Sequence, residues 1–183
     1  PPAFSRPART YTVRDGLPSA AAFRVYQDRG GTVWVGTRSG EPAENGLARF
    51  DSTLTRATPV GATEGLHAHA APSAFAEDRH GALWIGFYRG GLARYRNGRF
   101  QAFTVEDGLP KGMVTALLAD AKGRLWIATN LGGIGRVDDP ARDALAVHAY
   151  TTRDGLGSNN VRALAEDDDG RIFAGTARGV DRL

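Results

Sequence analysis

The chain has 183 residues, 42% of them hydrophobic, which is enough for a buried core and too apolar for a disordered segment. Its 24 glycines point to many tight turns, and no apolar run approaches the roughly 20 residues of a membrane-spanning helix. The formal net charge of +3 comes almost wholly from scattered arginines, with Lys111 and Lys122 the only lysines; this is not the basic stripe of a nucleic-acid binder, and without cysteine there is no disulfide or thiolate metal site.

Residues 1–9 are rich in Pro, Ala and Arg and read as a linker. Residues 9–13 are the first predicted strand, and Asp15-Gly16-Leu17-Pro18 turns out of it. Strands follow at 23–27, around Trp34, and at 47–50, with the polar Glu41-Pro42-Ala43-Glu44-Asn45 inserted before the last. The next strand, near 55–60, is weakly marked and runs into a divergent turn, His67-Ala68-His69-Ala70-Ala71-Pro72. The pattern then returns at 74–77, around Trp84, and at 92–95. It recurs at 100–104, 114–118, Trp126 and 134–137, with a second polar insertion at 138–143. It recurs again at 147–151, 161–164, Phe173 and 180–183.

These elements form a repeat. The central aromatics Trp34, Trp84, Trp126 and Phe173 are 50, 42 and 47 residues apart. Before each comes an acidic residue, Gly and Leu: Asp15-Gly16-Leu17, Glu64-Gly65-Leu66, Asp107-Gly108-Leu109 and Asp154-Gly155-Leu156. After each comes a Gly-led strand with Arg at the fourth position, as in Gly46-Leu47-Ala48-Arg49-Phe50 and Gly91-Leu92-Ala93-Arg94-Tyr95. A turn of the type Glu77-Asp78-Arg79-His80-Gly81 leads into every aromatic strand; Gly supplies positive φ, and Asp caps nearby N–H groups. Four short strands every 40–50 residues predict an all-β propeller of four-stranded antiparallel blades, with approximate repeats 10–53, 54–98, 99–145 and 146–183.

The start, Pro1-Pro2-Ala3-Phe4, lacks a basic opening and an apolar core, and both ends abut repeat material, so the chain is expected to be a piece of a longer protein. The strand at 9–13 is the partner that the last repeat lacks. Exchange within one chain would close a four-bladed ring. Exchange head to tail between two copies would close eight blades, and an open arc would leave unpaired edges.

Few residues invite chemistry. The central aromatics are read as packing between blades, not as sugar platforms. Glu166 and Asp167-Asp168-Asp169-Gly170 suggest calcium, but consecutive carboxylates lack the alternate spacing of a calcium loop, and the other repeats place a hairpin turn there. His67 and His69 would point to one side of an extended segment, yet zinc would need further ligands. No nucleophile elbow, phosphate-binding glycine loop or His-Glu pair at helical spacing appears, so no catalytic residue, metal or cofactor is expected. In a propeller, loops between blades and loops between the second and third strands share one face. That places Arg38, His67, His69, Tyr88, Arg89, Lys111, Asn130, Asn159, Asn160 and Arg178, beside Pro18 and Ser19, on a candidate ligand-binding face. Arg forks and amides suit carboxylates or sugar hydroxyls.

The succession Asp-Gly-Leu-Pro, then Val-x-x-Leu-x-Glu-Asp-x-x-Gly-x-Leu-Trp-Ile-Gly-Thr, then Gly-Gly-Leu-x-Arg-Tyr resembles the two-component regulator propeller repeat, over nearly all of the chain after residue 9. The resemblance implies an extracytoplasmic or periplasmic sensor region of a bacterial signalling protein whose output is a histidine kinase or diguanylate cyclase. Membrane attachment would come only through other parts of that protein. Propellers of this family carry more blades than the four repeats here, so a larger ring is implied. The implied function is non-catalytic recognition of a small molecule or oligosaccharide. The alternatives are a dimerisation scaffold, separable by assembly without small-molecule binding, and a propeller lyase or hydrolase using His67 or His69 as base.

Overall fold

The computed structural model describes residues 8–66 and 71–183. Within them lie four antiparallel sheets. The first contains β1 (Ala22–Gln27), β2 (Val33–Thr37), β3 (Gly46–Phe50) and β4 (Ala57–Val60). The second contains β5 (Pro72–Glu77), β6 (Leu83–Phe87), β7 (Leu92–Arg96) and β8 (Arg99–Phe103). The third contains β9 (Val114–Ala119), β10 (Leu125–Thr129), β11 (Ile134–Val137) and β12 (Val147–Tyr150). The fourth contains β13 (Val161–Glu166), β14 (Ile172–Thr176) and β15 (Gly179–Arg182). Each is a meander, as consecutive strands joined by short turns must be.

The sheets are out of phase with the sequence repeat by one strand. The strand before each Gly-Leu marker pairs with the sheet that precedes it, so β4 lies on β3, and β12 on β11. This explains the one element that differs from expectation. Residues 9–12 belong to no ladder among the described residues, and 13–15 form a 3-10 turn. A strand needs a hydrogen-bonding neighbour, and 9–13 has none among the described residues. Tyr11 instead packs edge-on against Phe50 and donates its hydroxyl to the Leu54 carbonyl at 2.6 Å. The fourth sheet accordingly has three strands among the described residues instead of four.

The first strands β1, β5, β9 and β13 lie side by side in that order, and no comparable packing returns from β13 to β1 among the described residues. The molecule is an open arc of propeller blades. Each of the three central tryptophans faces the following sheet. Trp34 joins Leu47 and Val60 against Leu83, Ile85 and Phe100. Trp84 joins Leu92 and Phe103 against Leu125, Ile127 and Val137. Trp126 joins Ile134 against Val161, Ile172 and Ala174. These rings are packing residues, as read from the sequence.

Sheets approach closely where the second strand carries a small residue. A Cβ at Gly86 would sit 2.3 Å from Val114 Cγ1 on the next sheet. Beside it, the buried Ser73 hydroxyl donates to the Val114 carbonyl at 2.6 Å; one sheet on, Thr115 does the same to Val161 at 2.7 Å.

The Gly-Leu turns are 3-10 turns, three of them with capping boxes; in the second, the N-cap is Gly61 and only the reciprocal bond forms, from Gly61 N–H to Glu64 Oε2 at 3.1 Å. Thr12, Thr104 and Thr151 each accept from an N–H two residues on, while Asp15, Asp107 and Asp154 accept from the threonine N–H groups at 2.8–2.9 Å. The turns deliver Leu17, Leu66, Leu109 and Leu156 into the core.

Candidate ligand-binding face

The loops entering each sheet and the loops between its second and third strands meet at one end of the arc. Backbone bonds lace them together: Arg38 N–H to Ala21 at 2.9 Å, Tyr88 to Ala71 at 2.9 Å, Asn130 to Met113 at 3.1 Å and Ala177 to Asn160 at 2.9 Å. A further bond crosses between sheets, from Gly133 N–H to the Asn159 carbonyl at 3.0 Å. Hairpin geometry produces this: the first strand starts where the second ends, so their flanking loops share an end.

On this face the Arg38 guanidinium lies 3.8 Å from the Tyr88 ring centroid and 5.6 Å from that of Phe23. Tyr88, Arg89, Lys111 and Arg178 are exposed, whereas Arg38, Asn130, Asn159 and Asn160 are half-buried. The asparagines are largely spent on the scaffold. Asn130 Oδ1 accepts from Met113 N–H at 2.8 Å, and Asn159 Oδ1 from Thr152 N–H at 2.8 Å. Asn160 donates its backbone N–H to Ser158 Oγ at 3.1 Å. Arg178 N–H donates to Thr176 Oγ1 at 3.2 Å, leaving the guanidinium outward. Ser19 is buried, its hydroxyl accepting from Ala21 N–H at 3.2 Å. His67 and His69 lie outside the described residues. The face thus offers one stacked guanidinium–phenol pair and separate exposed cations. They suit acceptor-rich ligands such as hydroxylated rings or carboxylates.

The opposite end holds a constellation that sequence reading divided into separate parts. Asp28, Asp78 and Asp120 each cap their turn through Oδ1 and accept the indole N–H of Trp34, Trp84 or Trp126 through Oδ2 at 2.8–2.9 Å. The constant six-residue spacing from Asp to aromatic was the available signal. In the fourth turn Phe173 has no N–H, and Arg171 Nε donates to Asp167 Oδ2 at 2.7 Å instead. Arg171 also pairs with Asp169, so the calcium-like run is a turn closed by its own arginine. The Arg171 backbone N–H and guanidinium hold Asp167 below the usual carboxylate range. Burial alone would raise Asp120, but bonds from Trp126 and Arg124 outweigh it and hold its carboxyl low.

This architecture has known counterparts. The family model of the two component regulator propeller matches residues 16–39, 108–131 and 155–178. Three of the four repeats thus match the two component regulator propeller repeat. No curated protein matches the chain. Among solved structures it is similar to the extracellular domain of a putative hybrid two component system from Bacteroides thetaiotaomicron, at 23% identity and TM-score 0.72, over 88% of this chain and 21% of that one. PorZ, an essential bacterial surface component of the type-IX secretion system of Porphyromonas gingivalis, is similar at 20% identity and TM-score 0.63, over 87% of this chain and 25% of that one. Virginiamycin B lyase from Staphylococcus aureus is similar at 16% identity and TM-score 0.60, over 87% of this chain and 54% of that one. The chain spans about a fifth to a half of these proteins' lengths, and at such identities the likeness is one of fold.

Proposed function

We propose that this chain is the non-catalytic, ligand-recognising part of the extracytoplasmic sensor region of a bacterial two-component-type signalling protein, and that its ligand is a carbohydrate. The observation that carries the reading is the Arg38–Tyr88 pair, 3.8 Å apart, which joins a loop of the first sheet to a loop of the second on this face. A ligand bridging those loops would bear on several blades at once, which is how recognition would reach a downstream kinase or cyclase. The matches to two component regulator propeller repeats support the signalling context. A glycan array followed by calorimetry tests it. A bound oligosaccharide whose affinity falls tenfold or more in Arg38→Ala and Tyr88→Ala supports the sensor. Absence of glycan binding, or binding indifferent to both changes, overturns it. Turnover that disappears in His67→Ala or His69→Ala would make the chain an enzyme.

A second reading, a scaffold associating head to tail, is favoured by the edge of β15. Tyr11 precedes the Thr12 cap as Tyr150 precedes Thr151, and Tyr150 pairs with Ile134, the counterpart of Val180. A second copy would therefore lay Tyr11 opposite Val180 and Thr10 opposite Asp181. Light scattering after gel filtration tests it: a dimer dispersed by Val180→Pro supports strand exchange, and a monomer at all concentrations removes it.

A further inference from the structure

The fourth-position arginines of the repeat occupy one structural position with two different fates. Arg49 pairs across the ladder with Trp34, and Arg94 with Trp84. Each guanidinium lies over its tryptophan, at 5.9 and 5.6 Å from the ring centroid. Each faces the groove between its own sheet and the next, at the end of the arc opposite the loop face.

In the groove between the second and third sheets Arg94 is 2% exposed, because the connection from β11 to β12 folds over it. Arg94 Nη1 donates to the Pro140 carbonyl at 2.8 Å and the Arg142 carbonyl at 2.7 Å, and Nη2 donates to Asp143 Oδ1 at 3.1 Å. Gln101 Nε2 adds a bond to the Asp143 carbonyl at 2.8 Å. The occupant is a short peptide that presents carbonyls and a carboxylate.

In the groove between the first and second sheets the corresponding connection, β7 to β8, is the two-residue hairpin Asn97-Gly98, with φ of 53° and 80°. It is too short to cover the groove. A cavity of about 250 Å3 remains there, lined by Trp34, Arg49, Asp51, Thr58 and Tyr95. The Arg49 side chain is 34% exposed. Its Nη1 donates to Tyr95 Oη at 2.7 Å, and its Nη2 approaches Glu64 at 3.5 Å. Nη1 of Arg94 serves two acceptors, so the bond to Tyr95 leaves Arg49 room for a carbonyl. Thr58, the ladder partner of Arg49, stands where Gln101 stands beside Arg94.

We infer that the groove over Arg49 is a peptide-binding site that takes a short extended segment of another protein in the way the second groove takes residues 140–143. Glu64, 3.5 Å from the guanidinium, and the carboxylates of Asp28 and Asp51 in the cavity lining favour main-chain amides, which carry both donors and acceptors, over a free anion. The inference is independent of the sensor reading, since the loop face lies at the other end.

The probe is the capped pentapeptide Asp-Pro-Ala-Arg-Asp, which copies residues 139–143, titrated to millimolar concentration into the labelled chain while amide and indole N–H signals are followed. The expected result is saturable shifts confined to the Trp34 indole, Thr58 and Tyr95, with affinity at least tenfold weaker in Arg49→Gln. Thr58→Val, at an exposed position, gives the same reading if Arg49→Gln fails to fold. Absence of shifts, shifts centred on another groove, or affinity unchanged in both variants overturns the inference. Reproduction of the same shifts by sodium acetate also overturns it, because the site would then be one for simple anions.

Discussion

At the residue scale the organising unit is a carboxylate that serves a turn with one oxygen and a ring with the other. Asp78 is 1% exposed, and its Oδ2 accepts the Trp84 indole N–H at 2.9 Å. Asp120 Oδ2 accepts from Trp126 and also from Arg124 Nε. Replacing the ring therefore has unequal consequences. Trp84→Phe leaves a buried carboxylate oxygen with its donor removed and is expected to cost about 1–3 kcal/mol more than Trp126→Phe, where Arg124 keeps the oxygen satisfied. Denaturant unfolding of the two variants checks the order. The same bonds give a pH dependence. Asp120 has a folded pKa below its ordinary value, so its contribution is fully present above about pH 4 and is lost as pH falls through the depressed folded value. Asp120→Asn should lower stability at neutral pH and flatten the acid limb of the stability profile. An unchanged acid limb would assign acid unfolding to other groups. The sequence displayed Asp and Trp at fixed spacing. It gave no sign that one oxygen joins them, because either residue has a sufficient local reason to be there.

At the scale of the element, strand positions were legible wherever a residue pattern and a partner coincide. Residues 9–13 carry the pattern of β12 and still form no ladder among the described residues, because pairing belongs to two segments and the sequence of one cannot supply it. The 138–143 insertion looked like surface, and most of its side chains are indeed exposed or half-buried. What it contributes is carbonyl oxygens to Arg94, and backbone groups are the same in every sequence. Hence Asp143→Ala should change stability by no more than about 1 kcal/mol, since its side chain is 86% exposed and two carbonyls remain on the guanidinium. Gly86→Ala should do more. Its Cβ would meet Val114 at 2.3 Å on a neighbouring inner strand, and overpacking of this kind costs about 1–3 kcal/mol. Combining Gly86→Ala with Val114→Ala should recover part of that loss, and a double-mutant cycle of unfolding free energies measures it.

At the scale of the whole molecule the arc is a stack in which each sheet packs on its neighbours, and the outer face of the first is covered by Tyr11 and Leu17. The second and third sheets are covered on both sides, by the clusters centred on Trp34, Trp84 and Trp126. The fourth is packed on one face, and its outer strand β15 exposes Val180 at 71%. In a stack, stability is close to a sum of unit and nearest-neighbour terms, so a unit with one neighbour opens more readily than a unit with two. Native-state hydrogen exchange is therefore expected to rank the amides: β15 fastest, β13 and β14 next, and the central strands β6 and β10 slowest. The ranking separates two accounts of the molecule. If β15 exchanges as slowly as β10 and slows further with protein concentration, its edge is covered by a second copy and the arc is half of a larger ring. If β15 exchanges quickly at every concentration, the stack ends there in solution. A ligand that binds only the folded loop face raises the free energy of global opening, so it should slow β6 and β10 by the full linkage amount and should slow β15 only where its opening releases the ligand.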